Sequence, residues 1–423
     1  MTIALIAFVF LLLLGVPIAL VLGMTTVVYI LSLDNMDLML TVPQRLYSGM
    51  ENYSLLAIPL FMLAGELMNS GGITKRLVDV AKKFVGHFRG GLAYVNVLAN
   101  MMLAAIIGSA TAQIAMMSRT MVPEMEKGGY SKSFSAATTA AAGLLGPIIP
   151  PSMMFIIYAV SSGTSINAMF KAGIIPGILL GLSFMILIAF FGMKQQWEKQ
   201  PRAEVKDMLS SLIKVIPALS VPIIIIAGIL SGVFTATESA AFACLVAIIV
   251  GGFVYRELDF KIMPSVLRNT VSTTAVITML IAMATIFGWT LAFEQIPQAI
   301  ATWMAETTSS TFIFLLIVNI FLLIVGMFMD GIAALIILVP IFMPLLVTYD
   351  VDPIHFGIII CINLTIGILT PPVGTGLFIA SSLTGASIGQ ITRAILPFLA
   401  IALIILLLLT YIPALSLWIP GNI

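Results

Sequence analysis

Long apolar runs, separated by short polar stretches, follow one another along the whole chain. The segments 223–230 and 399–409 are two examples that contain no polar side chain. About 20 apolar residues form a helix long enough to cross a bilayer, whereas irregular backbone exposed to lipid would leave its polar groups without partners. The pattern therefore predicts an all-α polytopic membrane protein.

Prolines recur at a fixed spacing along these apolar runs. Four of them reappear 221 positions later, in the pairs Pro123 and Pro344, Pro150 and Pro371, Pro151 and Pro372, and Pro176 and Pro397. The chain is therefore interpreted as a duplicated unit. A proline removes a backbone donor and clashes with the carbonyl four residues back, so we expect one helix in each unit to break within the membrane. Broken helices in matching positions are typical of the binding sites of secondary transporters.

Composition and the missing motifs exclude several classes of protein. Hydrophobic residues make up 61% of the chain and charged residues 9%, and the net charge of +1 argues against nucleic acid as a partner. No Gly-rich Lys motif for nucleotides occurs, which excludes a built-in ATPase. An intramembrane protease would need paired catalytic groups, and Asp330 has no second aspartate at comparable depth, so we expect no enzyme.

The first apolar segment, 2–31, has no Ala-x-Ala cleavage site and is interpreted as a retained membrane segment. It contains Gly15-Val16-Pro17. Two interpretations stay open at this point, a single kinked span and a pair of short arms.

Positive charges indicate the orientation in the membrane. The stretch 72–91 carries five Lys or Arg residues, whereas none occurs between Arg268 and Arg393. The positive-inside rule predicts cytoplasmic and external loops. The loops 72–91, 119–132 and 194–214 are predicted to be cytoplasmic, and 294–310 and 349–355 external. The segment 92–118 then starts and ends inside, although its 27 residues are too few for two crossings.

We therefore predict that 92–118 is a re-entrant hairpin and that 311–348 is its counterpart, entering from outside. The two units are inverted relative to each other, because loop 72–91 carries five cations and its counterpart 293–312 carries none. The predicted chain begins with an N-terminal scaffold segment, 1–50. The first repeat, 51–193, contains a hairpin at about 92–118 and a broken helix at about 133–161, and a cytoplasmic connector, 194–214, follows it. The second repeat, 215–418, contains a hairpin at about 311–348 and a broken helix at about 356–385.

Each hairpin needs a tip of unwound backbone, which is tolerated at membrane depth only where protein buries it or where it lines a wet cavity. Gly108-Ser-Ala-Thr-Ala112 is the candidate in the first hairpin and Met329-Asp-Gly-Ile-Ala333 in the second. Asp330 is the only acidic residue inside its apolar stretch, which makes it a functional hypothesis. The structural alternatives are ordinary packing of small residues between helices and a pair of structural proline kinks.

Freed carbonyls at such tips and breaks can replace the hydration shell of Na⁺, and half-helix N-termini present amides to an anion. We expect a first Na⁺ site from Gly108, Ser109, Ala110, Gly146 and Pro147. We expect a second Na⁺ site from Asp330, Gly331, Thr370, Gly374 and Thr375. A carboxylate between the two sites is expected to contact Thr111, Ser152, Asp330 and Thr375. The expected role of Na⁺ is that of a coupling ion, and no other cofactor is expected.

Several motifs spread over nearly the whole chain form a specific set. They are Asn52-Tyr53-Ser54 with Pro59-Leu60-Phe61, Gly108-Ser-Ala-Thr-Ala112, Gly146-Pro147 with Pro150-Pro151, Phe234-Thr-Ala-Thr-Glu-Ser239, Glu294-Gln-Ile-Pro297 and Pro371-Pro-Val-Gly374. Together they resemble the large membrane subunit of tripartite ATP-independent periplasmic (TRAP) transporters, within the wider ion-transporter superfamily.

The resemblance implies Na⁺-coupled import of a small carboxylate, such as a sialic acid, a C4-dicarboxylate or a related organic acid. It also implies inverted repeats in a scaffold plus an elevator-type transport domain, in a multi-pass protein of the bacterial inner membrane in contact with its lipid. The implied partners are a periplasmic substrate-binding protein and a small four-helix membrane subunit, expected as a separate polypeptide. The alternatives are a stand-alone Na⁺/anion symporter without a binding protein and an ion channel.

Overall fold

The computed structural model describes residues 2–33, 35–195, 197, 202 and 204–421. Every regular element in these ranges is a helix, which confirms the predicted all-α class. Within them, eight helices are long and apolar enough to cross a bilayer. The prediction of a polytopic membrane protein is confirmed by this count.

Five α-helices form the N-terminal part of the chain. They are α1 (Thr2–Leu13), α2 (Ile18–Ser32), α3 (Thr41–Met50), α4 (Ala57–Ser70) and α5 (Ile73–Val85). Short 3₁₀ helices at Met36–Leu40 and Tyr53–Leu56 flank α3. The first apolar segment is thus two short helices rather than one kinked span, because Gly15 has a left-handed φ of 72° and Pro17 precedes the first turn of α2.

Five further helices follow, α6 (Gly91–Ile107), α7 (Ala110–Lys127), α8 (Lys132–Gly143), α9 (Met153–Ser162) and α10 (Ile166–Gln195). The chain reverses between α6 and α7 at Gly108 and Ser109. The expected end of the first hairpin at about residue 118 is wrong, since α7 continues to Lys127. The helix extends because Met117, Met121 and Met125 recur every four residues and are all buried.

The second half of the chain contains ten helices. They are α11 (Val205–Ser231), α12 (Ala236–Ile249), α13 (Met263–Phe293), α14 (Ile296–Thr307), α15 (Thr311–Phe328), α16 (Gly331–Thr348), α17 (Pro353–Gly367), α18 (Thr375–Thr384), α19 (Ile388–Tyr411) and α20 (Ala414–Leu417). A π-helical turn at Val250–Val254 follows α12. The pair α15 and α16 occupies the range 311–348 in which the second hairpin was expected.

Several stretches expected as loops are largely helical. The stretch 72–91 contains α5 and 294–310 contains α14. The helix α5 forms because Ile73, Leu77 and Val80 lie on one face and are buried, while the charged residues occupy the other. The expected connector 194–214 contains the end of α10 and the start of α11, and its residues 196, 198–201 and 203 lie outside the described residues.

The helices pack in two groups. In one group α13 contacts α2, α3 and α4, and α12 packs on α4. In the other, the pairs α6–α7 and α15–α16 pack around α8, α9, α17 and α18. Each short helix that follows a break contacts the pair from the other half, α9 on α16 and α18 on α7. This exchange brings the two reversals of the chain to the same part of the molecule.

Candidate functional site

The first reversal is built by a glycine and a serine. Gly108 ends α6 with a left-handed φ of 61°, a conformation that favours glycine. Ser109 caps α7, since its hydroxyl accepts a hydrogen bond from the Ala112 amide at 3.5 Å. The Ser109 and Thr111 hydroxyl oxygens are 3.2 Å apart. The Gly-Ser sequence therefore turns the chain and places two hydroxyl groups at the tip.

The first break separates α8 from α9. Ser152 caps α9 by accepting from the Phe155 amide at 3.3 Å, and its hydroxyl donates to the Pro147 carbonyl. The Ser152 side chain is fully buried. This residue, expected to contact substrate, thus has both of its hydrogen bonds within the break, because a serine before the first turn of a helix is a preferred cap.

The first tip lies directly against the first break. A Cβ atom built on Gly108 would be 3.3 Å from the Pro151 carbonyl oxygen. A Cβ atom built on Gly146 would be 2.4 Å from Gln113 Oε1 and 3.2 Å from the Ser109 carbonyl oxygen. The two glycines therefore allow backbone and amide oxygens of the tip to approach the break closely.

Gln113 completes this first cluster, and the sequence analysis missed it. Its Nε2 donates to the Asn100 carbonyl at 2.6 Å, whereas its Oε1 is buried and has no partner in the described part of the chain. An orphaned oxygen beside a carbonyl suits a cation rather than an anion, so the cluster fits Na⁺. In the sequence, the signal that could have indicated this role was the amide side chain of Gln113, about one helical turn after Ser109.

The second reversal is capped by an aspartate. Asp330 Oδ1 accepts from the Ile332 amide at 3.0 Å, and the side chain remains exposed. Gly331 lies against α9, since a Cβ built there would be 3.2 Å from Met154 Cε. Asp330 is therefore an N-cap of α16 that keeps a second carboxylate oxygen available for other contacts.

The second break gathers carbonyl oxygens around a glycine. Gly374 has a φ of 46°, and its amide donates to the Met327 carbonyl at 3.2 Å. A Cβ on this residue would be 3.0 Å from the Thr370 carbonyl oxygen and 3.1 Å from that of Ile368. The Thr375 hydroxyl is buried and lacks a partner among the described residues. We call the Thr370 and Ile368 carbonyls with Thr375 the second cluster, which, like the first, contains one orphaned side-chain oxygen.

A cavity of about 40 Å³ lies between the two tips. Ser109, Thr111 and Pro147 line it from one side, and Asp330 and Gly331 from the other. A volume of this size would accommodate only about one to three water molecules, whereas typical ligand pockets occupy about 300–1,000 Å³. The expected room for a carboxylate is therefore absent in this conformation.

The structure divides the expected residues of the second Na⁺ site between two places. Asp330 and Gly331 face the first tip across the small cavity. Thr370, Gly374 and Thr375 do not line that cavity and form the second cluster with the Ile368 carbonyl. Of the residues expected for the first Na⁺ site, Gly108, Ser109, Ala110 and Pro147 line the small cavity.

The comparisons with known proteins agree on one family. The model of "Tripartite ATP-independent periplasmic transporter, DctM component" matches residues 5–415. The C4-dicarboxylate TRAP transporter large permease protein of Pseudomonas aeruginosa is 43% identical over 377 residues, which cover 89% of this chain and 88% of that protein. The sialic acid TRAP transporter large permease protein of Vibrio cholerae is 38% identical over 377 residues, with the same shares of 89% and 88%.

A solved structure shares the fold. The YdaH transporter of Alcanivorax borkumensis superposes with a TM-score of 0.66 at 15% sequence identity, covering 97% of this chain and 98% of that one. At this identity the similarity concerns the fold alone.

Proposed function

The chain belongs to the DctM component family of tripartite ATP-independent periplasmic transporters, and we propose that it imports a small organic acid by Na⁺-coupled secondary transport. It is a multi-pass protein of the inner membrane, and its relatives are permeases rather than enzymes. The family implies two partners, a small membrane subunit and a periplasmic binding protein. The resemblance found in the sequence is confirmed at this level.

One observation carries the proposal of Na⁺ coupling, the pair of oxygen clusters at the two breaks. Each cluster contains one buried polar atom without a partner among the described residues, Gln113 Oε1 in the first and Thr375 Oγ1 in the second. A buried polar group without a hydrogen bond costs about 1–3 kcal/mol. A Na⁺ ion bound at each cluster would remove that cost, which supports one coupling ion per half.

The elevator movement is the second part of the proposal. We assign α2, α3, α4, α12 and α13 to the scaffold, because they contact one another. The pairs α6–α7 and α15–α16, with the broken helices, form the transport domain as inverted re-entrant hairpins. Because the cavity between the tips measures only about 40 Å³, substrate binding requires the two tips to separate.

The substrate is a small carboxylate delivered by the binding protein. Relatives of the chain are named for C4-dicarboxylate and for sialic acid. The N-termini of α7 and α16 both point to the small cavity, since Ala110 and Gly331 begin these helices and line it. Helix N-termini favour negative charge, and Thr111 adds a hydroxyl donor at the same place. The chemistry of the tips therefore suits an anion that enters once Na⁺ is bound.

Uptake into proteoliposomes tests this function directly. We expect uptake of a C4-dicarboxylate or a sialic acid only when the chain, the small subunit and the binding protein are present with an inward Na⁺ gradient. Equal uptake by the chain alone would favour the stand-alone symporter. Uptake that persists without Na⁺ would contradict the coupling, and non-saturating flux would indicate a channel.

The inverted hairpins predict which side of the membrane each flanking residue faces. We expect Arg89→Cys and Lys127→Cys to react with an impermeant thiol reagent only from the cytoplasm, because both flank α6–α7 beside cationic stretches. We expect Thr307→Cys and Thr348→Cys, which flank α15–α16, to react only from outside. All four positions are exposed. The measurement is mass-tag labelling of intact and of permeabilised cells.

The native Cys244 and Cys361 are buried, and a variant with both replaced by serine provides the unlabelled background. Labelling of Arg89→Cys and Lys127→Cys from opposite sides would show that α6–α7 crosses the bilayer. In that case the re-entrant hairpin would have to be abandoned, although uptake could still be Na⁺-dependent.

A further inference from the structure

A second cavity, of about 780 Å³, lies outside the transport site between α5, α11 and the turn that follows α12. One wall is a charged stripe on α5 that includes Lys75, Asp79 and Lys83. These residues are spaced by four positions and share one face of the helix. The opposite wall contributes Lys214 from α11. Cations from two separate helices therefore converge on one cavity.

Two other cations at this cavity are already paired. Arg76 lies 2.7 Å from Glu257 and stacks 3.8 Å above the ring of Tyr255. Lys82 donates to Glu124 at 2.9 Å, and this hydrogen bond holds the pKa of Glu124 below its usual range. In each of these two ion pairs the carboxylate compensates the cation, so Arg76 and Lys82 add little net positive charge to the cavity.

The remaining three cations have no such partner. No carboxylate lies within 4.0 Å of Lys75, Lys83 or Lys214 in the described part of the chain. Lys83 donates to the Asp207 carbonyl at 3.3 Å, which satisfies one hydrogen but leaves its charge uncompensated. Asp79 supplies one carboxylate to the lining. Three uncompensated ammonium groups against one carboxylate give the cavity a positive excess.

The cavity also has an apolar side at the ends of two candidate membrane spans. Val80, Ile213, Pro217 and Val254 line it. One candidate span begins at Lys206 and another ends at Val254, so the lining lies near the ends of two candidate membrane spans. A soluble anion would leave this apolar surface exposed to water, whereas the glycerol and upper acyl chains of a lipid would bury it.

We infer that this cavity binds an anionic phospholipid of the cytoplasmic leaflet. Lys75, Lys83 and Lys214 surround its phosphate, and its acyl chains follow Ile213 and Val254 into the bilayer. Basic pockets between membrane helices on the cytoplasmic side are suited to such headgroups. The helix α5 connects α4 of the scaffold to α6 of the first hairpin, so the lipid occupies the junction between the two bodies of the proposed transporter.

Native mass spectrometry of the full chain in detergent, titrated with phosphatidylglycerol, tests this site. We expect the triple variant Lys75→Gln, Lys83→Gln and Lys214→Gln to bind roughly 100-fold more weakly, because each basic residue near an anionic headgroup contributes about 1 kcal/mol. Phosphatidylcholine with the same acyl chains should bind weakly to both proteins. A triple Lys→Arg variant should retain binding of phosphatidylglycerol, which separates loss of charge from misfolding.

The matched control removes the same charge elsewhere, as Lys127→Gln, Lys261→Gln and Arg268→Gln. These three residues are exposed and do not line the cavity. Equal loss of phosphatidylglycerol in both triple variants would overturn the site. Competition by inorganic phosphate, without preference for phosphatidylglycerol over phosphatidylcholine, would assign the cavity to a soluble anion instead. Loss of the lipid when the small subunit is added would show that the cavity is a contact surface for that subunit rather than a lipid site.

Discussion

Gly146→Ala is expected to raise the Na⁺ concentration for half-maximal transport roughly 100-fold. The new methyl group would lie 2.4 Å from Gln113 Oε1 and 3.2 Å from the Ser109 carbonyl oxygen, so it would displace the oxygens that we assign to the first Na⁺. Loss of one or two oxygen contacts to the ion costs about 3 kcal/mol, which corresponds to this factor. The measurement is the Na⁺ dependence of uptake in proteoliposomes.

Gly143→Ala provides the matched control for crowding. Its new methyl group would also lie 2.4 Å from a neighbour, but that neighbour is Ile114 Cγ1, an apolar atom. Both variants should lose thermal stability through overpacking, by about 1–3 kcal/mol each, whereas only Gly146→Ala should change the Na⁺ dependence. The same Na⁺ dependence in both variants would show that the first cluster does not hold the ion.

Gln113→Met tests the same cluster without crowding at Gly146. Methionine has a similar length and lacks the amide oxygen, so we expect a smaller shift in the same direction. This variant keeps the assignment testable if Gly146→Ala fails to fold. A wild-type Na⁺ dependence in Gln113→Met would show that Gln113 Oε1 does not bind the ion.

The sequence predicted the places where the backbone departs from a helix, because these depend on local chemistry. Gly108 permits the left-handed turn that ends α6, and prolines interrupt the helices at both breaks. Asp330 lies in the reversal between α15 and α16, where the candidate tip Met329–Ala333 was predicted. Such features can be read from a few neighbouring residues without knowledge of the packing.

The sequence did not predict which oxygens meet at each cluster. The contribution of Gln113 depends on how α7 packs against the break at Gly146, and the contribution of the Ile368 carbonyl depends on the turn at Gly374. Backbone carbonyls occur at every residue and give no signal in the sequence. Ser152 was predicted to contact substrate, although its position before the first turn of α9 also carried the ordinary signal for a cap.

Charge density also misled the assignment of α5. The five cations of the stretch 72–91, four of them in α5, favoured a loop, whereas the buried Ile73, Leu77 and Val80 follow the helical period. The amphipathic helix places its charged side toward the cavity of about 780 Å³ and its apolar side into the core. The cations of α5, which favoured a loop in the sequence, therefore form part of the candidate lipid site.

Asp330→Asn is expected to lower Na⁺-coupled uptake roughly 10- to 100-fold at limiting Na⁺. Asparagine caps helices as well as aspartate does, so the bond from the Ile332 amide at 3.0 Å is retained and only the charge is lost. A factor of 10 to 100 corresponds to about 1–3 kcal/mol of lost attraction between the carboxylate and the cation. Uptake at several Na⁺ concentrations separates loss of ion affinity from loss of maximal rate.

Asp352→Asn is the control for Asp330→Asn, because Asp352 is also an N-cap. Its Oδ1 accepts from the Ile354 amide at 2.7 Å and from the His355 amide at 3.0 Å, and it does not line the cavity between the tips. We expect this variant to keep the wild-type Na⁺ dependence. Equal, small effects of the two substitutions would reduce Asp330 to a helix cap. A large effect of Asp330→Asn alone, reversed by raising Na⁺, would show that its carboxylate contributes to Na⁺ affinity beyond its role as a helix cap.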